Sequence, residues 1–125
     1  MLGNRDAVAN VAVKNLDVAK RFYADTLGLK QVEGDDQEVA VFKSGNSLLN
    51  VYRSQYAGTN QATAVTWSVG DEIEKVVAKL KAKGVQFEHY DSLGMDRMGD
   101  IHVGGGMKVA WFKDPEGNIH NLIDQ

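Results

Sequence analysis

A chain of 125 residues, with 43% hydrophobic and 25% charged residues, has the size and composition of one soluble globular domain. The net charge is −3 and the basic residues are interspersed with acids, so we expect no nucleic-acid-binding surface. Because the chain has no cysteine, disulfides, thiolate zinc sites and cysteine nucleophiles are excluded. No apolar run is long enough to span a membrane, and residues 1–6 show no signal-peptide pattern, so we expect a cytoplasmic protein.

The first half of the chain predicts one strand, one helix and three further strands. Residues 7–13 are typical of a strand, Asn15 is a suitable N-cap, and apolar residues recur at helical spacing over 16–27 until Gly28 ends the helix. The three further strands are predicted at 29–33, 38–43 and 47–52, with turns at 33–36 and 44–46.

The second half repeats this order. A strand at 62–69 precedes a second helix, whose first turn contains Asp71 and Glu74, a pair that predicts a capping box. Gly84 ends this helix, and a strand follows at 85–90.

The last part of the chain combines a glycine-rich stretch with a hairpin. We predict a long loop over 91–106, and its glycines suit a lid as well as a plain surface loop. Two apolar runs then flank residues 114–118, where Pro115 presets φ and Gly117 tolerates a positive φ. These residues predict a tight turn between the last two strands.

The two halves share one register. Fifteen residues separate Val13 from Gly28, and the same number separates Val69 from Gly84, so the halves align with an offset of 56 residues. Two chance strand–helix units in an ordinary α+β domain are the alternative interpretation. The agreement of both the caps and the strand order favours an internal duplication.

We therefore predict an α+β fold in which two βαβββ modules pair into a curved mixed sheet around a cavity. The first module covers 7–52 and the second 62–124, and the polar stretch 53–61 is a linker. All 125 residues would form a single domain.

Four stretches of this sequence resemble the vicinal oxygen chelate superfamily, which includes glyoxalase I, the bleomycin-resistance proteins and the extradiol dioxygenases. The stretches are Val13-Lys14-Asn15-Leu16, Phe22-Tyr23, Leu27-Gly28-Leu29 and Asp114-Pro115-Glu116-Gly117-Asn118. The resemblance covers nearly the whole chain and implies paired βαβββ modules around a funnel-shaped cavity. It also implies a divalent metal on the cavity wall in enzymatic members, and a homodimer.

The resemblance also implies four metal-ligand positions, which in the family usually hold histidine or glutamate. These positions here are Val8, Asn50, Ala64 and Asn121. Valine and alanine cannot ligate a metal, and an asparagine carbonyl is a weak neutral donor. We therefore predict no cofactor, although a divalent metal at a shifted site is an open alternative.

Period-two alternation predicts which side chains face the cavity. The ligand-binding candidates are Asn10, Asn50, Tyr52, Thr66 and Asn121 on strands, with Arg97 and His102 from the 91–106 loop. The same alternation turns His120 and Trp67 to the opposite face. We expect no catalytic residue among these candidates.

The predicted function is therefore reversible, metal-independent binding of a small molecule, of the kind that the bleomycin-resistance branch of the family performs. One alternative is a metal-dependent lyase or dioxygenase with a shifted metal site that uses His102 or His120. Another is a non-catalytic domain for protein association. The expected partners are a small-molecule ligand and a second copy of the chain, with no nucleic acid and no membrane.

Overall fold

The computed structural model describes residues 1–34 and 37–125, so part of the predicted turn at 33–36 lies outside the described residues. The described residues form two α-helices and ten strands, arranged in two mixed sheets. The chain divides into two compact units, Met1–Gly58 and Thr59–Gln125. Among the described residues, no helix is both long and apolar enough to cross a membrane.

The first unit contains a four-stranded sheet and one helix. Its elements are β1 (Ala9–Val13), α1 (Leu16–Arg21), β2 (Lys30–Glu33), β3 (Val39–Ser44) and β4 (Ser47–Arg53). The strand order is β1-β4-β3-β2, with β1 parallel to β4 and the other pairs antiparallel. This is the βαβββ module that the sequence predicts.

The helix of the first unit begins at the predicted N-cap, but the second half of the predicted range is a π-helical turn. The Oδ1 atom of Asn15 accepts a hydrogen bond from the Val18 N–H at 3.1 Å, and so caps α1. The helix continues as a π-helical turn over Phe22–Thr26, and Gly28 then takes a φ of +77°. Tyr23, in this turn, is fully buried against Phe42 on the sheet.

The second unit repeats the module with one addition. Its elements are β5 (Thr63–Ser68), α2 (Ile73–Ala82), β6 (Phe87–Glu88), β7 (Asp96–Met98), β8 (Ile101–Gly104), β9 (Met107–Lys113) and β10 (Ile119–Ile123). The strand order is β5-β10-β9-β8-β7, and β6 pairs with the same edge of β9 as β8 does. The parallel β5–β10 pair matches the β1–β4 pair of the first unit.

The prediction of a long loop over 91–106 is wrong, because this stretch contains the antiparallel β7–β8 hairpin. Gly99 and Asp100 form its two-residue turn, and Gly99 has a φ of +64°. Gly105 and Gly106 then form a second two-residue turn, both with positive φ, between β8 and β9. Glycine is favoured in such turns because their central residues adopt positive φ.

The predicted capping box is also wrong. A short 3₁₀ turn over Gly70–Glu72 leads into α2, whose N-cap makes no side-chain hydrogen bond. The Glu74 carboxylate instead accepts a hydrogen bond from Lys108 Nζ at 2.7 Å. Since Lys108 is on β9, this contact links α2 to one face of the second sheet.

The strand predicted at 85–90 is shorter in the structure, because only Phe87–Glu88 pairs with β9.

Candidate functional site

The turn between β9 and β10 sets the register of the whole site. The buried Asp114 accepts hydrogen bonds from the backbone N–H groups of Glu116 and Asn118 and from Asn118 Nδ2, each at 2.9 Å. Gly117 has a φ of +93°, as its position in the predicted turn requires. The predicted hairpin is thus confirmed, and its register places Asn121 directly opposite Trp111.

The two faces of the second sheet differ in chemistry. One face, here called the Trp111 face, presents Thr66, His102, Trp111 and Asn121, as the strand pairings show. The opposite face is the buried aromatic core. It contains Trp67, Ala110, Phe112, His120 and Leu122. The predicted placement of Trp67 and His120 away from Asn121 is confirmed.

Three rings meet on the Trp111 face. The centroid of the His102 ring lies 4.9 Å from Trp111, and that of Tyr90 lies 5.3 Å from Trp111, both nearly perpendicular to the indole. Tyr90 and His102 lie 6.3 Å apart with their planes 28° from parallel. The indole Nε1 donates to Thr63 Oγ1 at 3.2 Å, and this bond ties the Trp111 side chain on β9 to β5. The cluster is therefore held by contacts from four different strands or loops.

Three buried polar atoms of this cluster have no hydrogen-bond partner among the described residues. They are Tyr90 Oη, His102 Nδ1 and Asn121 Oδ1. A buried polar atom without a partner costs about 1–3 kcal/mol of stability, and such atoms are few in native proteins. Two of them belong to residues that contact Trp111, and the third belongs to the residue opposite it. The cluster around Trp111 therefore contains buried hydrogen-bonding atoms that lack a partner among the described residues.

The ionisable groups of the cluster are uncharged near pH 7. Burial lowers the pKa of His102, although the neighbouring Val109 backbone opposes this shift. Burial, helped by the charge of Glu88, raises the pKa of Tyr90 above its ordinary value. Near pH 7 the imidazole is consequently neutral and the phenol keeps its proton. The arrangement supplies neutral donors and acceptors rather than an ionised base.

Arg97 lies opposite His102 on β7, but its guanidinium already has two partners. Nε donates to Asp91 Oδ1 at 3.0 Å, and one terminal nitrogen donates to the Gly99 carbonyl at 2.9 Å. These contacts tie the β7–β8 hairpin to the residues before it. Its predicted role as a ligand-binding residue stays a prediction.

The other three ligand-binding candidates lie together in the first unit. Asn10 and Asn50 are opposite each other on β1 and β4, and Asn50 Nδ2 donates to Asn10 Oδ1 at 3.2 Å. Tyr52 follows on the same face of β4 and is exposed. The structure thus groups the predicted residues into Asn10–Asn50–Tyr52 in one unit and Thr66–Asn121 with His102 in the other.

The donor chemistry at the four family metal positions does not fit a metal ion. The side chains of Val8 and Ala64 have no donor atom, and that of Asn50 supplies only a neutral amide oxygen, which is a weak metal ligand. Asn121 Oδ1 is the one buried oxygen without a partner that these positions supply, and it is neutral. Across residues 1–34 and 37–125, no three His, Asp or Glu side chains are grouped as a metal site requires.

Two histidines outside the cluster have structural environments. His89 Nε2 lies 2.8 Å from Asp100 Oδ1, and Lys81 Nζ lies 2.7 Å from the other carboxylate oxygen. His120 is fully buried between Trp67 and Phe112, and burial lowers its pKa to about 4. Neither arrangement resembles the shifted metal site that the sequence left open.

A polar cleft of about 350 Å³ lies on the first unit. Its lining carries both charge signs, because Lys14 and Arg53 stand beside Glu38, and Arg53 is paired with Glu38 at 3.4 Å. With two cations and one carboxylate, the described lining residues carry one net positive charge, and none of them is aromatic. We place the candidate site on the Trp111 face, where aromatic rings and buried polar atoms occur together.

The ligand-binding residues predicted from the sequence did not include Tyr90 or Trp111. The sequence did contain a signal for the position of Trp111. A turn over 114–118 pairs Lys113 with Ile119, and the same register pairs Trp111 with Asn121. Tyr90 had no such local signal, since its contacts come from β8 and β9.

The structure resembles many solved structures at low sequence identity. A glyoxalase family protein from Enterococcus faecalis has a TM-score of 0.76 at 20% identity, with 98% of this chain and 99% of that chain covered. Lactoylglutathione lyase from Agrobacterium tumefaciens has a TM-score of 0.73 at 19% identity, covering 96% and 92%. The fosfomycin resistance protein FosX from Listeria monocytogenes, complexed with Mn(II) and sulfate, has 0.71 at 13% identity, covering 98% and 90%. At these identities the likeness shows the fold alone.

A comparison with curated protein sequences gave no match. The family model described as Glyoxalase/Bleomycin resistance protein/Dioxygenase superfamily matches residues 6–122. This range spans both modules, including the hairpin turn and the Trp111 face. The chain therefore belongs to the Glyoxalase/Bleomycin resistance protein/Dioxygenase superfamily.

Proposed function

We propose that this protein reversibly binds a small, flat organic molecule on the Trp111 face without a metal ion. The observation that carries the proposal is the set of three buried, unpartnered polar atoms around Trp111. A site of one aromatic surface with a few convergent polar groups is typical of small-molecule binding. The substitution of the family's metal ligands by Val8, Ala64 and two asparagines supports binding without metal.

The proposal is tested first by metal content. The purified protein is incubated with Fe(II), Zn(II), Ni(II) and Mn(II), desalted, and analysed by mass spectrometry. We expect a metal-to-chain ratio near zero. A ratio near one would overturn the proposal and support an enzyme of the lyase or dioxygenase type, with His102 and His120 the first residues to mutate.

The second test is a thermal-shift screen of aromatic compounds on protein treated with a chelator. We expect compounds that raise the melting temperature of the native protein to have no effect on Trp111→Leu. The control is Tyr56→Phe, because Tyr56 is exposed in the first unit and outside the Trp111 face. Hits that need added metal, or that stabilise Trp111→Leu equally, would contradict the proposal.

A further inference from the structure

We infer that the ligand of the Trp111 face is an uncharged ring that carries both a carbonyl-type acceptor and an N–H donor, as in a cyclic amide. The inference rests on the proposed function and names its ligand class. It follows from the hydrogen-bonding capacity of Tyr90 and Asn121, whose buried oxygens lack partners, and from the charges around them.

His102 fixes the first of these groups. Its Nε2 accepts the Tyr90 backbone N–H at 2.9 Å, so the neutral imidazole must carry its proton on Nδ1. The same residue packs its ring 6.3 Å from the Tyr90 ring. His102 is thus a positioning residue, which holds the backbone and the ring of Tyr90 together.

The two oxygens require opposite partners. The Tyr90 hydroxyl keeps its proton and can donate to a carbonyl oxygen of the ligand. Asn121 Oδ1 can only accept, so it requires a donor such as a ring N–H. A ligand with only an acceptor would leave Asn121 Oδ1 unpaired, and a ligand with only a donor would leave the Tyr90 hydroxyl unpaired. A polar site binds an analogue much more weakly than its ligand when the analogue leaves one of the buried polar groups of the site unpaired.

The charges on this side of the sheet favour a neutral ligand. The cations nearest the cluster are each paired, Arg97 with Asp91 at 3.0 Å and Lys113 with Glu88 at 3.3 Å. Among the described residues around the cluster, these cations already have a carboxylate partner. An anionic ligand would therefore find no unpaired cation there. A charged ligand would lose its hydration without gaining a countercharge.

Ordered water is the competing explanation, because water could satisfy both oxygens without any ligand. A matched set of probes separates the two cases. The probes are 2-quinolinone, with both groups; N-methyl-2-quinolinone, with the carbonyl but no N–H; quinoline, with a ring nitrogen acceptor only; and naphthalene, with neither. Binding of each is measured by isothermal titration calorimetry on the native protein and on Tyr90→Phe, Asn121→Leu and the control Tyr56→Phe.

We expect the native protein and Tyr56→Phe to bind 2-quinolinone at least about tenfold more tightly than the other three probes, since one buried hydrogen bond corresponds to roughly that factor. Asn121→Leu should bind 2-quinolinone and its N-methyl analogue equally. Tyr90→Phe should lose the preference for the carbonyl, and His102→Gln, which keeps a donor and an acceptor, should keep part of it.

The outcomes distinguish the inference from the proposed function. If all four probes bind equally and the binding is lost in Trp111→Leu, the small-molecule site would be supported. The proposed hydrogen-bonding pattern would be overturned. No binding of any probe at millimolar concentration would overturn both and favour ordered water. We also expect ligand-free Tyr90→Phe to have a melting temperature no lower than that of the native protein, because the variant removes an unpaired hydroxyl. A large drop would show that the hydroxyl has a structural partner and would overturn the inference.

Discussion

The backbone N–H of Tyr90 donates to Nε2 of His102 at 2.9 Å, across twelve residues of sequence. This hydrogen bond joins the segment that follows the short strand β6 to β8, and both rings contact Trp111. A fully buried imidazole with this geometry is a structural element as well as part of the candidate site.

The substitution His102→Ala should destabilise the protein by about 2–4 kcal/mol, because it leaves a cavity and an unpaired Tyr90 N–H. Chemical denaturation in urea measures the change. His89→Ala is the matched control and should cost less, since its ring is partly exposed and its partner Asp100 keeps Lys81. Equal losses in the two variants would contradict the role assigned to His102.

Stability should fall as the pH falls from 7 to 5, and His120 should be the main cause. Its pKa is about 4 in the folded protein, below the ordinary value of 6.5, so the unfolded chain binds more protons in this window. The full stabilisation of the folded state is therefore present above pH 6.5. By pH 5 the free energy of unfolding has fallen by about 2 kcal/mol. His102, whose pKa is also lowered by burial, acts with the same sign.

Thermal or urea unfolding of the native protein and of His120→Phe at both pH values checks this prediction. Phenylalanine keeps a planar ring beside Trp67 and Phe112 but has no titrating group, so most of the pH dependence should vanish. A variant that retains the full dependence would show that another group is responsible. The carboxyl groups of Glu74 and Asp100, whose pKa values are lowered by their partners, titrate below this window.

The β7–β8 hairpin should depend on Asp100, whose side chain is only 15% exposed and bonds both Lys81 and His89. Asp100→Asn should cost about 1–2 kcal/mol, because it removes the charge of two charge-assisted contacts. Amide hydrogen exchange should show faster exchange in 96–104. Asp96→Asn, on the same hairpin and exposed, should leave exchange unchanged.

The Asp114 turn should control the register of β10. Asp114→Ala removes the acceptor for two backbone N–H groups and for Asn118 Nδ2, and we expect a loss of about 2–3 kcal/mol. The Trp111 indole resonance should shift in NMR spectra, because Asn121 opposes it. An unchanged free energy of unfolding together with an unchanged indole resonance would contradict the assignment.

The parts of the fold that the sequence predicted are those that local chemistry determines. Asn15 caps α1, Gly28 ends the following π-helical turn, and the turn at Asp114 reverses the chain, each through contacts within a few residues. The β7–β8 hairpin was missed because its strands are short and five glycines between 94 and 106 outweigh their β-prone residues. The pair Gly99-Asp100 was nevertheless a hairpin signal.

The candidate site was predicted only in part, for a physical reason. Asn121 and Thr66 followed from strand alternation, which is local. Tyr90 and His102 meet through a backbone-to-ring contact between separate strands, and no periodicity encodes it. The capping pair Asp71 and Glu74 failed for the same reason, because Lys108 on a distant strand takes the Glu74 carboxylate.

The 114–118 turn has a consequence for how this sheet can change. His120 and Asn121 are adjacent on β10 and point to opposite faces, so a one-residue insertion in the turn would move His120 to the position opposite Trp111. An imidazole would then replace a neutral amide on the Trp111 face, and the amide would enter the aromatic core. The addition of one residue to this turn would thus replace a weak metal donor on the Trp111 face with a strong one.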